Sequence, residues 1–292
     1  MNINTQPLMV TIKCFTYNQE QYIRQCLDGF VMQKTNFRFE AIVHDDASMD
    51  GTADIIREYE AKYPDIIKPI YETVNQYSKH DGSLKRIMDE HMHGKYIAVC
   101  EGDDYWIDPL KLQKQFDFME AHPECSLCFH ANYDLFPSSE KMIHKPKEIK
   151  QFYSPEDVIL GGGGFMATNS IFYRNEYLQK EEQPDFWKNC PIGDLPSMLY
   201  YVTKGKVGYI DEVMSVYRRQ AIGSWSSRQD SVKIRTKHYK AILNMFDEYD
   251  KYTEFKYHSV IQKKKKKNMR KHVKSTMVFL MRKILKKIGI KK

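Results

Sequence analysis

At 292 residues the chain has room for one large α/β domain, or for a domain of about 220 residues with an appendage. Its 42% hydrophobic and 13% aromatic content excludes a disordered or fibrous polypeptide, and six widely spread cysteines exclude a dense disulfide framework and fit a reducing cytosol. The net charge is +7, yet residues 263–292 hold fourteen Lys or Arg and no acid, so +7 less +14 leaves −7 on residues 1–262 and marks the tail as a basic element with its own anionic partner. Residues 1–15 show no basic stretch followed by a long apolar one. No window reaches the roughly 18 apolar residues of a membrane span, so neither a secretory signal nor a spanning helix is expected.

In chain order, "VTIKCF" (10–15) is a short β-branched and apolar run. Beyond "TYNQ", Ile23, Leu27 and Phe30 recur at helical spacing, which gives strand, turn, helix. "FEAIVHD" (39–45) reads as a second strand, and "DGTADIIREYEAKYP" as a helix that Asp50 caps and Pro64 stops. "IIKPIYET" (66–73) is a third strand, placed at a sheet edge by Pro69. Leu84, Ile87, Met88 and Met92 form a helical stripe that ends at Gly94, and "KYIAVC" (95–100) follows as a fourth strand. The next helix opens at Asp108 and Pro109 and buries Leu112, Phe116 and Met119. Cys125 and Cys128 are a lone C-x-x-C inside the strand-like "CSLCFHANYDLF", read as small buried side chains rather than zinc ligands.

Past residue 150 the pattern loosens. "GGGGFMATNSIFYR" (161–174) predicts a turn and a strand, "GDLPSMLYYVTKGK" (193–206) a short helix closed by Gly205, "VGYIDEVMSVYRR" a further strand, and residues 235–257 a Tyr-rich helix. From Met277 onward, Met277, Leu280, Met281, Ile284, Leu285 and Ile288 share one helical face, with Arg282, Lys283 and Lys286 opposite. That is the pattern of an interfacial helix; a helix docked on the body with its lysines solvated satisfies it too. A nucleic-acid tail is disfavoured, since Phe279 is its only aromatic.

Strands and helices alternating at this spacing predict right-handed βαβ units and a largely parallel sheet, with ligands beyond the carboxyl ends of the strands. Two acidic clusters fall at that edge. "HDDAS" follows the second strand, and "EGDDYW" follows the fourth. Glu101, Asp103 and Asp104 lie within four positions and repel one another unless a cation, a ligand or water separates them.

The motifs "FTYNQEQYIRQCLDG", "HDDASMDGT", "CEGDDYWIDPLKL" and "GDLP", in that order, resemble the nucleotide-sugar half of a family 2 glycosyltransferase with the GT-A fold, over residues 8–220. The resemblance implies an α/β, Rossmann-like, mixed but mostly parallel sheet flanked by helices, with a C-terminal helical extension. The implied segments are a glycosyltransferase domain at 1–225, a helical extension at 226–262 and a basic amphipathic tail at 263–292. It further implies an inverting enzyme that uses Mn²⁺ or Mg²⁺ and moves one sugar from a nucleoside-diphosphate sugar, a UDP-sugar favoured, to a hydroxyl of a glycan or lipid-linked glycan in surface-polysaccharide synthesis.

By the same resemblance Asp104 is the metal ligand, and Asp103 beside it faces the ribose or the metal's water shell. Asp46 accepts a hydrogen bond from the nucleobase with Asp45 next to it, unless the pair caps the following turn. Thr16, Tyr17 and Asn18 border the nucleotide, with Asn18 as a plain helix cap the alternative. Asp194 is the catalytic base, or the cap of its helix, or both. Arg218 and Arg219 would meet diphosphate oxygens, and Gly161 to Gly164 would let backbone approach the substrates or act as a hinge.

Two departures, Glu101 where the family has Asp and Gly193 where it often has an acid, leave a non-catalytic nucleotide-sugar-binding module as the alternative. A sugar nucleotidyltransferase would need a Gly-rich basic loop after the first strand, which "TYNQEQY" lacks. "RRQAIGSWS" lacks the Gln-x-x-Arg-Trp of processive relatives, which points to one sugar per event. The location implied is cytoplasmic, peripheral on the membrane through residues 263–292, without nucleic acid.

Overall fold

The computed structural model describes residues 6–177, 183–188, 190, 192–221 and 231–287. Its strands are β1 (Leu8–Thr16), β2 (Arg38–Asp45), β3 (Ile67–Tyr71), β4 (Tyr96–Val99), β5 (Tyr105–Trp106), β6 (Cys125–Leu135), β7 (Lys141–His144), β8 (Phe152–Tyr153), β9 (Phe172–Arg174) and β10 (Lys206–Arg218). Its helices are α1 (Glu20–Val31), α2 (Thr52–Lys62), α3 (Ser83–Asp89), α4 (Lys111–Ala121), α5 (Pro155–Gly161), α6 (Asp185–Lys188), α7 (Asp194–Val202), α8 (Val232–Tyr252) and α9 (His258–Lys287).

The strands form one sheet in the order β3-β2-β1-β4-β9-β6-β10-β5, with β7 on β6 and β8 on β10. β3, β2, β1 and β4 are mutually parallel, as are β6 and β10, and β9 lies antiparallel between the two groups. The carboxyl ends of β1, β2, β4, β6 and β10 therefore share one edge, where Thr16, Asp45, Glu101, Asp134 and Arg218 lie. Pro69 sits in β3, the edge strand expected for it.

Residue periodicity explains the packing. On β1, Val10, Ile12 and Cys14 alternate onto one face and are fully buried under Ile23, Leu27 and Phe30 of α1 and Leu112 and Met119 of α4. The other face is covered by Met88 of α3, Leu195 and Leu199 of α7, and Phe246 and Tyr249 of α8. Cys125 and Cys128 are buried free thiols within β6, as read.

Some cap assignments move by one or two residues. Gly51 holds the N-cap of α2, while Asp50 Oδ1 accepts from Thr52 N–H at 3.0 Å from one place earlier. Asp108 accepts from Leu110 N–H at 2.8 Å, but α4 begins only at Lys111. The junction of residues 262 and 263 falls inside α9, so the basic run starts within a helix.

Candidate active site

The acidic loop is held from behind. Tyr105 and Trp106 pair antiparallel with Val216 and Ser215 of β10, which carries Asp103 and Asp104 to the end of that strand. Trp106 is 2% exposed, packs on Phe30 at 5.0 Å, and donates its indole N–H to Asn169 O at 2.9 Å. Gly29 on α1 makes this possible, since a Cβ there would come within 2.9 Å of Trp106 N. The aromatic pair after "EGDD" is therefore the anchor of the loop.

Gly102 answers the other constraint. A Cβ there would collide with Gln19 Oε1 and Thr16 Oγ1, so only glycine lets the acidic loop lie against the loop after β1. Both oxygens are buried without a hydrogen-bond partner among the described groups. An orphaned buried acceptor is costly unless a ligand or water meets it, which fits a nucleotide bordered by Thr16.

Asp104 is 2% exposed, and its Oδ1 accepts from Arg218 N–H at 2.8 Å. Burial, then the Asp103 and Cys100 charges, push its carboxyl well above the ordinary carboxylate range. Asp103 is also raised, by burial, with Arg218 opposing. Glu101 is exposed at the rim of the loop. Burial, then Asp103, then Asp194 push it up to about 8, and Lys13 of β1 pulls the other way. Tyr217 on β10 is raised by burial and by the same three acids, so it too faces the cluster.

Asp194 is brought to this cluster from the other side of the chain by α7. Gly193 occupies the N-cap without a side-chain cap bond, and Asp194, the first residue of α7, accepts at Oδ1 from the next N–H, Leu195, at 2.8 Å. Burial raises its carboxyl above the ordinary range, and its charge is felt at Glu101.

The nucleotide-side residues are cross-tied. Asn18 has a left-handed backbone (φ 51°) and is not a helix cap; Met49 N–H donates to its Oδ1 at 2.8 Å, and its own N–H donates to Ser48 Oγ at 2.9 Å. Gln19 N–H donates to Thr52 Oγ1 at 2.8 Å, and Glu20 N–H donates to Asp50 at 3.1 Å. Tyr17 is half-buried at the same edge. The two oxygens of Asp46 accept from Gln76 N–H (2.6 Å) and Tyr77 N–H (3.1 Å), which leaves each a further lone pair. Asp45 Oδ1 is buried with no partner among the described residues, and burial raises this carboxyl, with Ser48 opposing.

Arg218 differs from expectation. Its guanidinium lies over the rings of Tyr105 (4.6 Å) and Tyr22 (4.9 Å) and donates to Asp103 O and Gln25 Oε1. Those bonds make it a strut behind the acidic loop rather than a free phosphate ligand. Arg219 is likewise engaged, with Asp134 at 2.7 Å and His144 at 3.2 Å. The comparison of "RRQAIGSWS" with the processive signature runs into residues 222–230, outside the described residues.

Sequence reading missed Lys13, Gln19, Tyr22, Gln25, Tyr217 and the Asn169 bridge. Lys13 alone carried a signal, a cation in a strand otherwise apolar at its neighbours. Lys111 was missed as well: its ammonium lies 3.7 Å from the Trp106 ring centre, is buried without a hydrogen-bond partner among the described groups, and is pushed down to about 7 by burial.

The donor set fits a divalent cation. Asp103 and Asp104 offer hard oxygens on desolvated, mutually repelling carboxylates, which a cation would relieve. Among the described residues no three His, Cys, Asp or Glu converge to hold a metal; a cation here would take one or two carboxylates, with phosphate oxygens completing its shell.

A mostly parallel sheet with paired acidic loops at its carboxyl edge defines a GT-A, Rossmann-like protein. Two solved structures share the fold: S. aureus TarS in complex with UDP-GlcNAc (TM-score 0.63, 17% identity, 82% of this chain and 66% of that one), and the Pyrobaculum calidifontis mannosyltransferase PcManGT in complex with GDP-Man and Mn²⁺ (TM-score 0.57, 16% identity, 84% and 64%). The description "Glycosyl transferase family 2" matches residues 14–181, more than half of the chain, and the chain belongs to that family. An uncharacterized protein of Mycobacterium tuberculosis (strain ATCC 25618 / H37Rv) is 38% identical over 222 residues, which are 75% of this chain and 61% of that protein. A protein of Bacillus subtilis (strain 168) named "Putative teichuronic acid biosynthesis glycosyltransferase TuaG" is 27% identical over 220 residues, 74% of this chain and 80% of its own.

Proposed function

We propose that this protein transfers one sugar per event, with inversion, from a nucleoside-diphosphate sugar, a UDP-sugar favoured, to a hydroxyl of a glycan or lipid-linked glycan in surface-polysaccharide synthesis. The observation that carries the reading is the approach of Asp194, from the first turn of α7, to Glu101, whose loop carries Asp103 and Asp104 at the sheet edge. Family membership, the UDP-GlcNAc complex of TarS and the name of the B. subtilis relative support the donor and the setting.

In this mechanism Thr16, Tyr17 and Asn18 border the nucleotide, and Asp46, with Asp45 behind it, accepts from a nucleobase imide N–H. Asp104, flanked by Asp103, would hold Mn²⁺ or Mg²⁺, which supplies charge neutralisation of the departing diphosphate. Asp194 takes the proton of the acceptor hydroxyl as that oxygen attacks the anomeric carbon, opposite the leaving group. The burial that raises its carboxyl makes it a stronger base than a solvated aspartate. Arg218 keeps the acidic loop in place through Tyr22, Tyr105 and Asp103.

Calorimetric titration of UDP, GDP, dTDP and CMP, each with Mn²⁺ or EDTA, tests the site. Metal-dependent binding of one nucleotide that Asp104→Asn abolishes is the expected result; binding of none by folded protein refutes the reading. Asp194→Asn should keep nucleotide binding and lower turnover by about 10²–10⁴-fold. Unchanged turnover removes Asp194 as base, and no turnover in the wild type across a donor panel leaves the non-catalytic binding module.

A further inference from the structure

The exposed face of α9 has no role in the catalytic site. We infer that it is a docking surface for an anionic phospholipid bilayer, an inference independent of the proposed reaction.

α9 docks at its start through Val260 and Ile261 and beyond that through polar and aromatic side chains. Its contacts run antiparallel along α8: His258 Nδ1 with Asp250 Oδ2 at 2.6 Å, Lys265 with Asp247, the His272 ring stacked on Tyr239 at 4.3 Å, and Phe279 under the Arg235 guanidinium at 4.8 Å. Ile261 and Lys264 are buried at its start, where Lys264 donates to Leu160 O and Gly161 O at the end of α5. At about 100° per residue, 265, 272 and 279 lie on one line of the helix.

The apolar side points away from that line. Met269, Val273, Met277, Leu280 and Met281 fall on the adjoining flank and are 50%, 45%, 55%, 45% and 60% exposed. A helix that docks on its own domain ordinarily does so through its apolar stripe; here the stripe is turned outward and bordered by Arg270 and Lys274. Such exposure costs solubility unless a partner covers it.

Charge selects the partner. Residues 263–292 carry fourteen basic side chains and no acid. A second copy would bring the same charge against itself, and nucleic acid offers nothing for a Met, Val and Leu stripe to bury. An anionic bilayer satisfies both halves at once, with the stripe at the acyl boundary and the cations among the headgroups, each worth about 1 kcal/mol near such a surface. No helix among the described residues is long and apolar enough to cross a membrane, so α9 lies on the surface rather than spanning it.

The test is co-sedimentation of the full chain with vesicles of phosphatidylcholine alone and of phosphatidylcholine mixed with phosphatidylglycerol. The wild type should sediment with the anionic vesicles only, less so at high salt. Changing Met277, Leu280 and Met281 together to Ser should weaken that partitioning about 100-fold, with the circular dichroism spectrum and nucleotide binding unchanged. No sedimentation of the wild type, or equal sedimentation of the triple variant, overturns the proposal. A dimer seen by light scattering that the triple variant dissolves, without vesicle binding, assigns the face to a second copy instead and also overturns it.

Discussion

Glu101 stands in an environment at odds with its charge. It lies among Asp103 and Asp194, and burial with those two charges lifts its carboxyl to about 8. A carboxyl raised on folding binds its proton more tightly in the folded state, so its contribution to stability is present below the ordinary carboxylate range and is lost as pH rises through about 8. Relative to Glu101→Gln, metal-free wild type should therefore lose melting temperature as pH rises from about 5 to about 8. A divalent cation in the cluster opposes the same repulsion, so its stabilisation should be greater at about pH 8.5 than at about pH 6. Melting curves at the two pH values, with and without Mn²⁺, decide the matter: a variant slope as steep as the wild type's means that Glu101 is not the titrating group.

At the scale of elements, what the sequence showed depended on whether an element was stabilised by its own pattern or by a neighbour. β1, α1, β2, α2 and β4 alternate at clean periods, so they and the loops that follow them, Thr16–Asn18, Asp45–Asp46 and Glu101–Asp104, could be placed before any coordinates. β9, the strand expected at the end of "GGGGFMATNSIFYR", fills the gap between β4 and β6, whereas β7 and β8, four and two residues long, pair only at the sheet's margins and offer no period to read. α5 did announce itself through Ser154, Pro155 and Asp157, a capping box with proline in the first turn, but the glycine run after it drew the reading away. Arg218 was half legible for a related reason: a terminal arginine reads as a phosphate ligand, and only the fold reveals Tyr22 and Gln25 beside it.

The junction of α5 and α9 carries a prediction of the same scale. Lys264 Nζ satisfies two carbonyls at the end of α5, a position that favours a cation. Lys264→Met leaves both unpaired and should cost about 1–3 kcal/mol, read as a drop in melting temperature. Burial, with Lys267 and Lys271 adding, holds Lys264 down to about 8. Between about 8 and the model-compound 10.5 the unfolded chain binds a proton that the folded one does not, so stability rises with pH there. The loss caused by Lys264→Met should accordingly be larger at about pH 10 than at about pH 7.5, and an equal loss at both would mean that the amine does not titrate in the fold.

For the whole molecule the question is where the folding unit ends. Sequence pattern suggested a domain at 1–225, yet Ile242, Met245, Phe246 and Tyr249 of α8, with Tyr257 and Ile261, share one buried cluster with Phe186, Leu195 and Leu199. Burying side chains of this size is worth about 1.5–3 kcal/mol each, so these six together match the roughly 5–15 kcal/mol by which a domain is stable at all. A chain ending at residue 225 would also bare Phe186 of α6, on which Tyr249 and Tyr252 of α8 pack. It should be insoluble or lack a cooperative melt, whereas a chain ending at residue 268 keeps Ile261 and Lys264 in place and should melt cooperatively and still bind nucleotide. Soluble, cooperatively melting 1–225 would show that α8 is an accessory to the transferase fold; its failure beside a sound 1–268 would place the boundary within α9, between the helix that completes the core and the basic face that leaves it.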